Sequence, residues 1–256
     1  MSVATNSHGR PILHPAARQI LILWLGQTSY ASAHRLQHLL VQARAARQVP
    51  DILLLLEHHP TVTWGRQTEP TELQRAGLVC KKQRIALVEC ERAGRLTFHG
   101  PGQLVAYPIV HLDVVGRDLH RWLDTLEAAT AQALASYAIQ ARPGGKECRG
   151  VWVRGRKIAS LGIAVRRWVS YHGICVNVSS RPPDGLGLTW CGLEAGKYTS
   201  LADLGVVAEV KEVGRRLAEQ LCRILHLSPV WLPTPRHALT ATLSGPPPAA
   251  LETLSC

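Results

Sequence analysis

The chain has 256 residues, with 29 Lys and Arg against 18 Asp and Glu, which gives a formal net charge of +11 at pH 7. Because 46% of the residues are hydrophobic and only 18% are charged, the composition excludes a disordered chain and predicts a packed core. The longest apolar runs, 20–25 and 52–56, are far shorter than the roughly 18 residues of a membrane-spanning helix. We therefore expect no membrane span.

The first half of the chain predicts strands alternating with helices. An apolar run at 20–25 indicates a strand, and the helical spacing of apolar residues over 28–48 indicates a helix that Pro50 ends. Pro108 cannot donate a ladder hydrogen bond, so we expect it at a sheet edge or a strand end. The further predicted elements are strands at 51–57, 61–64, 85–90 and 103–110 and a short helix at 70–76 that Pro70 begins.

The second half predicts an antiparallel ladder between two helices. Apolar residues with a period of 3.6 predict helices at 118–137 and 209–225. The strand-like segments between these helices lie at 150–153, 157–165 and 168–178, and short reversals join them. The order of elements predicts an α+β fold rather than a doubly wound α/β sheet. We expect one domain over 20–227, an N-terminal extension at 1–19 and a Pro-rich, loosely ordered tail at 228–256.

Cysteine usage indicates a reducing compartment. The seven cysteines contain no C-x-x-C pair, so the spacing that signals structural zinc is lacking. They are Cys80, Cys90, Cys148, Cys175, Cys191, Cys222 and Cys256. Most scattered cysteines are small buried hydrophobic residues, but Cys191 precedes a glycine in a polar loop, where a thiol can be both held and exposed.

Two further segments have a composition that suits a binding site. Residues 92–103 contain three Gly, one Pro, two Arg and His99 between two predicted strands. Such a loop brings backbone close to a ligand, or it serves only as a hairpin connection. Lys157 begins an apolar strand, and its ammonium group either lies in water or takes part in catalysis. His99 and His172 lie in a loop or at a strand end, and each is either a structural histidine or a functional one.

Several short motifs in order resemble the lipoyl (octanoyl) transferases. The segments that carry the resemblance are HGPGQLVAYPI at 99–109, GVWV at 150–153, KIASLGI at 157–163, YHG at 171–173, NV at 177–178, CGL at 191–193 and TSL at 199–201. The resemblance covers about 20–225. It implies the fold of the biotin and lipoate protein ligase superfamily, in which helices pack on a mainly antiparallel, mixed central sheet.

This resemblance also implies the reaction and its partners. Such an enzyme is an acyltransferase that moves an octanoyl group from octanoyl-acyl carrier protein to a specific lysine of lipoyl domains, which is the first step of protein lipoylation. The acceptors are E2 subunits of 2-oxoacid dehydrogenase complexes and glycine cleavage H protein. Cys191 matches the nucleophile that forms an acyl thioester, and Lys157 matches its partner. The reaction uses no ATP and no metal, since the acyl group arrives as a thioester on phosphopantetheine.

The family's other site residues also have counterparts here. We expect substrate binding by Arg92, Ala93, Gly94, Arg95, Leu96, Thr97, Phe98, His99, Ser160, Leu161, Gly162, Gly173, Ile174 and Cys175. We expect a supporting role for Gly100, Gly102 and His172. The chain departs from the family pattern at Ala93, Phe98 and Trp190, where Gly, Tyr and Pro are usual.

The positive charge leaves two other functions open. A basic protein is often a nucleic-acid-binding module, although the chain has no recognisable RNA- or DNA-binding motif, so we expect no nucleic-acid partner. An ATP-dependent lipoate or biotin ligase would have the same fold without needing Cys191. If the partners are acidic carrier domains, Arg and Lys should cluster at the site entrance and transfer should slow in salt.

Location and assembly are expectations as well. Residues 1–50 contain five Arg and no Asp or Glu, as in an organelle transit segment. The extension before the fold is short for such a segment, so we expect a bacterial-type cytoplasm. We expect a monomer.

Overall fold

Two β-sheets form the framework of the protein. A computed structural model describes residues 18–233 except Glu147 and Ala195. The strands are β1 (Gln19–Thr28), β2 (Asp51–His58), β3 (Thr61–Trp64), β4 (Ala86–Glu89), β5 (Thr97–His99), β6 (Gln103–Ile109), β7 (Arg142–Pro143), β8 (Val151–Val153), β9 (Arg156–Arg166), β10 (Val169–Asn177) and β11 (Ser228–Trp231).

The eight-stranded sheet has the order β11-β1-β2-β6-β10-β9-β8-β7, and the three-stranded sheet has the order β4-β3-β5. In the large sheet β1 pairs parallel with β2 and β11, whereas the other neighbours are antiparallel. The central sheet is therefore mixed and mainly antiparallel, which confirms the predicted α+β class.

Among the described residues, four α-helices pack on the sheets, and the N-cap side chain accepts hydrogen bonds at the start of α1 and α3. The helices are α1 (Tyr30–Ala45), α2 (Pro70–Gln83), α3 (Leu119–Ala135) and α4 (Val210–Leu225). The Ser29 hydroxyl accepts a hydrogen bond from the Ser32 N–H at the start of α1, and the Asp118 carboxylate accepts two at the start of α3. These caps satisfy N–H groups that have no partner within the helix.

The large sheet buries one apolar face against α1 and the other against α3 and α4. Side chains alternate along each strand, so Leu53 and Leu55 of β2 pack towards α3 and α4 while Leu54 and Leu56 pack towards α1. A separate small core lies between α2, the small sheet and the loop that contains Trp190. Between these layers a cavity lies where the two sheets meet.

Of the two positions expected for Pro108, the strand end is confirmed and the sheet edge is not. Pro108 is the penultimate residue of β6, which lies between β2 and β10. It pairs with Leu53 of β2, but the ladder between β6 and β10 reaches only Ala106. The residue that lacks an N–H therefore lies beyond the last pair of that ladder.

Several element boundaries also differ from expectation. Helix α2 continues past residue 76 to Gln83, since Cys80 buries on the same face as Ala76, one turn earlier. The region expected to be an irregular tail begins with β11, which adds a parallel strand to the edge of the sheet at β1. Residues 1–17 and 234–256, with the rest of the expected extension and tail and Cys256, lie outside the described residues.

Within 18–233, leaving aside residues 147 and 195, we find no helix both long and apolar enough to cross a bilayer. The cysteines described in this range are all free thiols.

Candidate active site

A cavity of about 510 Å³ opens where the small sheet meets β6, β9 and β10. The predicted site residues on its wall are Arg92, Ala93, Gly94, Arg95, Thr97, His99, Lys157, Ser160, Leu161, Gly162, His172, Gly173, Ile174, Cys175 and Cys191. Residues from four separate parts of the sequence therefore share one cavity. Leu96, Phe98, Gly100 and Gly102 do not line it.

Cys191 lies at the tip of a tight two-residue turn. The flanking residues Trp190 and Leu193 donate N–H groups to each other's carbonyls, at 3.2 and 2.9 Å. Cys191 and Gly192 have φ values of 50° and 75°, as a two-residue turn with two left-handed positions requires. The Cys191 N–H also donates to the Leu96 carbonyl at 2.6 Å. A non-glycine residue held with positive φ costs free energy, which is typical of functional positions.

The surroundings of Cys191 favour its thiolate. Burial by itself raises the pKa of the thiol, but the positive charges of Lys157 and Arg92 and hydrogen bonds from Thr97 and Ser160 lower it by more. The Thr97 and Ser160 hydroxyls lie 3.4 and 3.7 Å from the Cys191 sulfur, and both can donate to it once the thiol has lost its proton. The net pKa is below the ordinary value, so more of this thiol is ionised at neutral pH than in a free cysteine.

Lys157 is held in a buried position beside this thiol. Its side chain is 6% exposed, and the ammonium lies 5.0 Å from the centre of the Trp152 ring. Its N–H donates to the Lys197 carbonyl, and its carbonyl accepts from the Thr199 N–H. The chain just after the Cys191 turn is thus bonded to the strand that carries Lys157. Among the described residues, no carboxylate forms an ion pair with Lys157.

Gly150 provides the space in which the Lys157 side chain lies. A Cβ atom at Gly150 would stand 2.5 Å from the Ala159 carbonyl, 3.0 Å from Cε of Lys157 and 3.4 Å from its Nζ. Gly150 also has a φ of 126°, which other residues rarely adopt. The ammonium therefore depends on a residue outside the predicted site.

We expect Gly150→Ala to lower acyl transfer by at least about tenfold, because the added methyl group displaces Lys157. The matched control is Gly155→Ala, where φ is also positive, at 76°, but no atom lies within 4 Å of the new Cβ. Both variants carry backbone strain, so both should lose stability. Transfer rates corrected for the folded fraction separate the two effects. Equal rates in the two variants would contradict the role of Gly150.

Arg92 places a second positive charge at the cavity. It is 7% exposed, and its Nη2 donates to the hydroxyl and carbonyl of Thr63 at 2.8 and 3.1 Å. Its buried Nε has no hydrogen-bond partner, and no carboxylate forms an ion pair with Arg92 among the residues described. The charge is therefore left to act on the groups in the cavity, which include the Cys191 thiol.

Alternation along β5 decides which residues of the 92–103 loop reach the cavity. Thr97 and His99 face it, whereas Leu96 and Phe98 belong to the small core on the other side. Leu96 still contributes its carbonyl to the Cys191 turn. Trp190 packs on Phe98, with ring centres 5.8 Å apart, and its indole N–H donates to the Pro183 carbonyl. Two of the three departures from the family pattern, Phe98 and Trp190, thus lie behind the turn, whereas Ala93 lies on the cavity wall.

Glycines let the strands approach each other around the cavity. A Cβ at Gly162 would lie 2.9 Å from the Ala93 carbonyl, and one at Gly173 would lie 2.3 Å from the Ala106 carbonyl. Gly100 and Gly102 have another use: the Gly102 carbonyl accepts N–H groups from residues 178–180, and the Gly102 N–H donates to Glu57. This pair shapes the turn between β5 and β6.

A buried group of histidines and tyrosines forms the far wall. His58 Nε2 lies 2.8 Å from the Tyr107 hydroxyl, and His99 Nε2 lies 3.3 Å from the Thr63 hydroxyl. Burial lowers the pKa of His99 and lowers those of His58 and His172 to about 4, so these rings are neutral at pH 7. They can orient groups but supply no charge.

Sequence reasoning missed several cavity residues. Tyr30 and Tyr107 lie in apolar helix and strand patterns, where a tyrosine is usually a core residue. The signal that the sequence offered for these two residues was a polar hydroxyl group within an otherwise apolar pattern. Val105, Leu123, Ile163 and Leu193 add apolar wall, and His120, Lys146, Cys148, Arg149 and Trp152 add to its rim.

Cations gather at this cavity, as the sequence predicts. Five Arg and Lys line it: Arg92, Arg95, Lys146, Arg149 and Lys157. Arg95 pairs with Glu72, and Arg149 pairs with Asp124 and Glu127. Three of the five have no ion-pair partner among the described residues, so the cavity carries a positive field.

Comparisons with known proteins show which family this chain belongs to. The family described as lipoyl protein ligase A/B catalytic domain matches residues 29–222. An octanoyltransferase of Syntrophobacter fumaroxidans is 40% identical over 215 residues, covering 81% of this chain and 91% of that protein. An octanoyltransferase of Chloroflexus aggregans is 37% identical over 221 residues, covering 83% and 98%.

Among solved structures, a bi-partite lipoate protein ligase of Thermoplasma acidophilum, described with its E2 lipoyl domain, has a TM-score of 0.62. It is 19% identical, and the match covers 84% of this chain and 87% of that chain. This similarity shows a shared fold.

Proposed function

The chain belongs to the lipoyl protein ligase A/B catalytic domain family and is an acyltransferase of the octanoyltransferase type, and we propose that it carries an octanoyl group from acyl carrier protein to lipoyl domains. The observation that carries this proposal is Cys191, an ionisable thiol on a strained turn beside Lys157 and Arg92. A ligase that activates its acid with ATP has no use for this thiol.

In the first half-reaction, the Cys191 thiolate attacks the carbonyl carbon of the octanoyl thioester on phosphopantetheine. The bond from this carbon to the donor sulfur breaks, and the bond to Cys191 Sγ forms. The departing thiolate takes a proton, which Lys157 donates from its ammonium. One thioester replaces another, so the acyl group stays activated and no nucleotide is required.

The second half-reaction moves the acyl group to nitrogen. The deprotonated amine of the acceptor lysine attacks octanoyl-Cys191, an amide forms, and the Cys191 thiolate leaves. Lys157, now neutral, takes the proton that the attacking nitrogen loses and returns to its charged form. The positive charge then again favours the Cys191 thiolate for the next cycle.

The cavity has the size and lining that a saturated eight-carbon chain needs. Its volume of about 510 Å³ lies within the range of ligand pockets. Apolar side chains on its wall are Val105, Leu123, Leu161, Ile163, Ile174 and Leu193. The acyl chain lies among them, and the carbonyl carbon is left at the Cys191 turn.

The field of the cavity suits acidic carrier proteins as donor and acceptor. Lys146 is exposed at the rim, while Arg92 and Lys157 lie deeper. Acidic carrier domains would be steered towards this positive surface in turn. Cys191, Lys157 and the cavity belong to one chain, which supports action as a monomer. Free cysteines support the cytoplasm as its location.

The function is tested by incubating the protein with octanoyl-acyl carrier protein and a lipoyl domain in the absence of nucleotide. We expect one octanoyl amide on the lipoyl-domain lysine, detected by mass spectrometry of the intact domain. Modification from free octanoate and ATP, with none from the carrier-bound donor, would instead identify a ligase. Tight, salt-sensitive binding of RNA without acyl transfer would favour a nucleic-acid-binding protein.

A further inference from the structure

Three histidines and one glutamate converge beside the cavity. His34 and His38 lie one turn apart on α1, Glu91 follows β4, and His172 lies in β10. His34 Nε2 lies 3.0 Å from His38 Nε2 and 2.9 Å from Glu91 Oε2. His172 Nε2 is 3.3 Å from the same Oε2, and His38 Nε2 is 3.1 Å from Glu91 Oε1. We name these four residues the histidine cluster.

Hydrogen bonds alone do not account for the histidine cluster. If His34 and His38 each donate an Nε2–H to Glu91, the two donors face each other at 3.0 Å with no lone pair between them. If either ring presents a lone pair at Nε2 instead, that nitrogen and the carboxylate oxygen of Glu91 are two acceptors in contact. A cation that accepts the lone pairs of His34, Glu91 and His172 removes this conflict, and His38 Nε2–H then donates to Glu91 Oε1.

Three of these residues fit the ligands of one zinc ion. The ligand atoms of His34, Glu91 and His172 lie within 4.8 Å of one another, and His38 is not part of this group. Zinc binds imidazole nitrogen and carboxylate oxygen at about 2.0–2.2 Å, so neighbouring ligand atoms in a tetrahedron lie roughly 3.3–3.6 Å apart. The separations of His34 and His172 from Glu91 Oε2, 2.9 and 3.3 Å, differ from this by a few tenths of an ångström or less. A water molecule would take the fourth position.

The ligand rings are already oriented by their neighbours. The His34 ring stacks against Tyr30 and His172, at 5.7 and 5.5 Å between ring centres, and His38 packs on Tyr171 at 5.5 Å. The backbone N–H of His172 donates to the side-chain oxygen of Gln37 at 2.7 Å, which holds the strand at this residue. Such contacts around ligands hold their geometry.

An ion also has a path to the cluster. The side chains of His34, His38 and Glu91 are 21%, 30% and 36% exposed, whereas that of His172 is 2% exposed. The ligands therefore lie at the protein surface, with His172 at the bottom.

We propose that His34, Glu91 and His172 form a zinc-binding site that joins α1, the 90–95 loop and β10, with His38 beside it against His34 and Glu91. The sequence predicts no metal because its cysteines lack zinc spacing, and this histidine set arises only from the fold. Glu91 precedes Arg92, and His172 precedes Gly173, both on the cavity wall. Zinc here positions that wall and takes no part in the acyl transfer steps.

The test uses the full chain after treatment with a chelator and its removal. Titration with zinc chloride, followed by calorimetry and elemental analysis, should give one tightly bound zinc per chain and a higher melting temperature. We expect the His34→Ala, His38→Ala double variant to bind zinc at least about 100-fold more weakly, since even outer partners of ligands are worth 10–100-fold.

Two matched variants separate this site from other zinc-binding groups. His59→Ala removes an exposed histidine outside the cluster and should bind zinc as the unaltered chain does. Cys191→Ser should also retain the zinc, because no thiol is among the proposed ligands. Cobalt in place of zinc should show the intense visible bands of a tetrahedral nitrogen and oxygen site without a thiolate charge-transfer band.

The proposal is overturned if the chelated chain binds no zinc, if the double variant binds it unchanged, or if Cys191→Ser abolishes binding. Each readout concerns the metal and not acyl transfer, so the result stands apart from the proposed function.

Discussion

Replacement of Cys191 by alanine should reduce octanoyl transfer by about 10⁴-fold or more, to the level of the uncatalysed reaction. The variant has no nucleophile to accept the acyl group, and no octanoyl-enzyme should appear in the mass spectrum after incubation with octanoyl-acyl carrier protein. Serine at this position should be inactive as well, because its hydroxyl is hardly ionised at neutral pH. Neither substitution changes the demand for positive φ in the turn, so the melting temperature should stay nearly constant.

Cys148 offers a stringent control for this experiment. It is an exposed thiol at the rim of the same cavity. Cys148→Ala should form the octanoyl adduct as the unaltered chain does, which would show that the adduct is not a general reaction of accessible thiols. Transfer at a normal rate by Cys191→Ala, or an adduct that depends on Cys148, would contradict the proposed intermediate.

Replacement of Lys157 by methionine should slow transfer by about 10²–10⁴-fold. The substitution keeps an unbranched side chain of similar length but removes both the charge and the proton carrier. Because the Lys157 charge lowers the pKa of Cys191, its loss raises that pKa. The thiolate fraction at neutral pH therefore falls, and the midpoint for alkylation of Cys191 by iodoacetamide should move to higher pH.

Two further variants distinguish the charge of Lys157 from its proton. Lys157→Arg keeps a cation over Trp152 but cannot give up its proton at neutral pH, so it should restore the alkylation profile and leave transfer slow. Lys197→Met removes an exposed lysine near the same strand and should change neither property. If Lys157→Met transfers octanoyl groups at the normal rate, Lys157 has no part in the chemistry.

Much of the secondary structure follows from local patterns. The spacing of apolar residues predicts α1, α3 and α4 to within a few residues, since each helix must bury one stripe against the sheet. The short reversal at residues 154–155 predicts the pairing of β8 with β9, and the structure has Arg154 and Gly155 with positive φ there. These features depend on neighbours in sequence, which are visible without a fold.

Other features depend on residues far apart in the chain. The strand β5 escaped prediction because three residues in a glycine-rich loop show no usable alternation, and only pairing with β3 defines it. Pro108 also looked suited to a sheet edge, but it lies between two strands because the ladder to β10 ends at Ala106, which only the fold decides. The strand β11 looked like tail because its partner, β1, lies at the other end of the sequence.

The sequence by itself determined the positive charge, the α+β class and the resemblance that singles out Cys191 and Lys157. The net charge is a sum over residues, and the periods of helices and strands depend only on neighbouring residues. The order of the motifs can be read directly from the chain. Only the tertiary structure decided which groups act together. It set Thr97, Ser160, Lys157 and Arg92 around one thiol, turned Leu96 and Phe98 away, and brought three histidines to Glu91. Electrostatic effects, packing and metal coordination fall off within a few ångströms, so they depend on distances that the fold alone establishes.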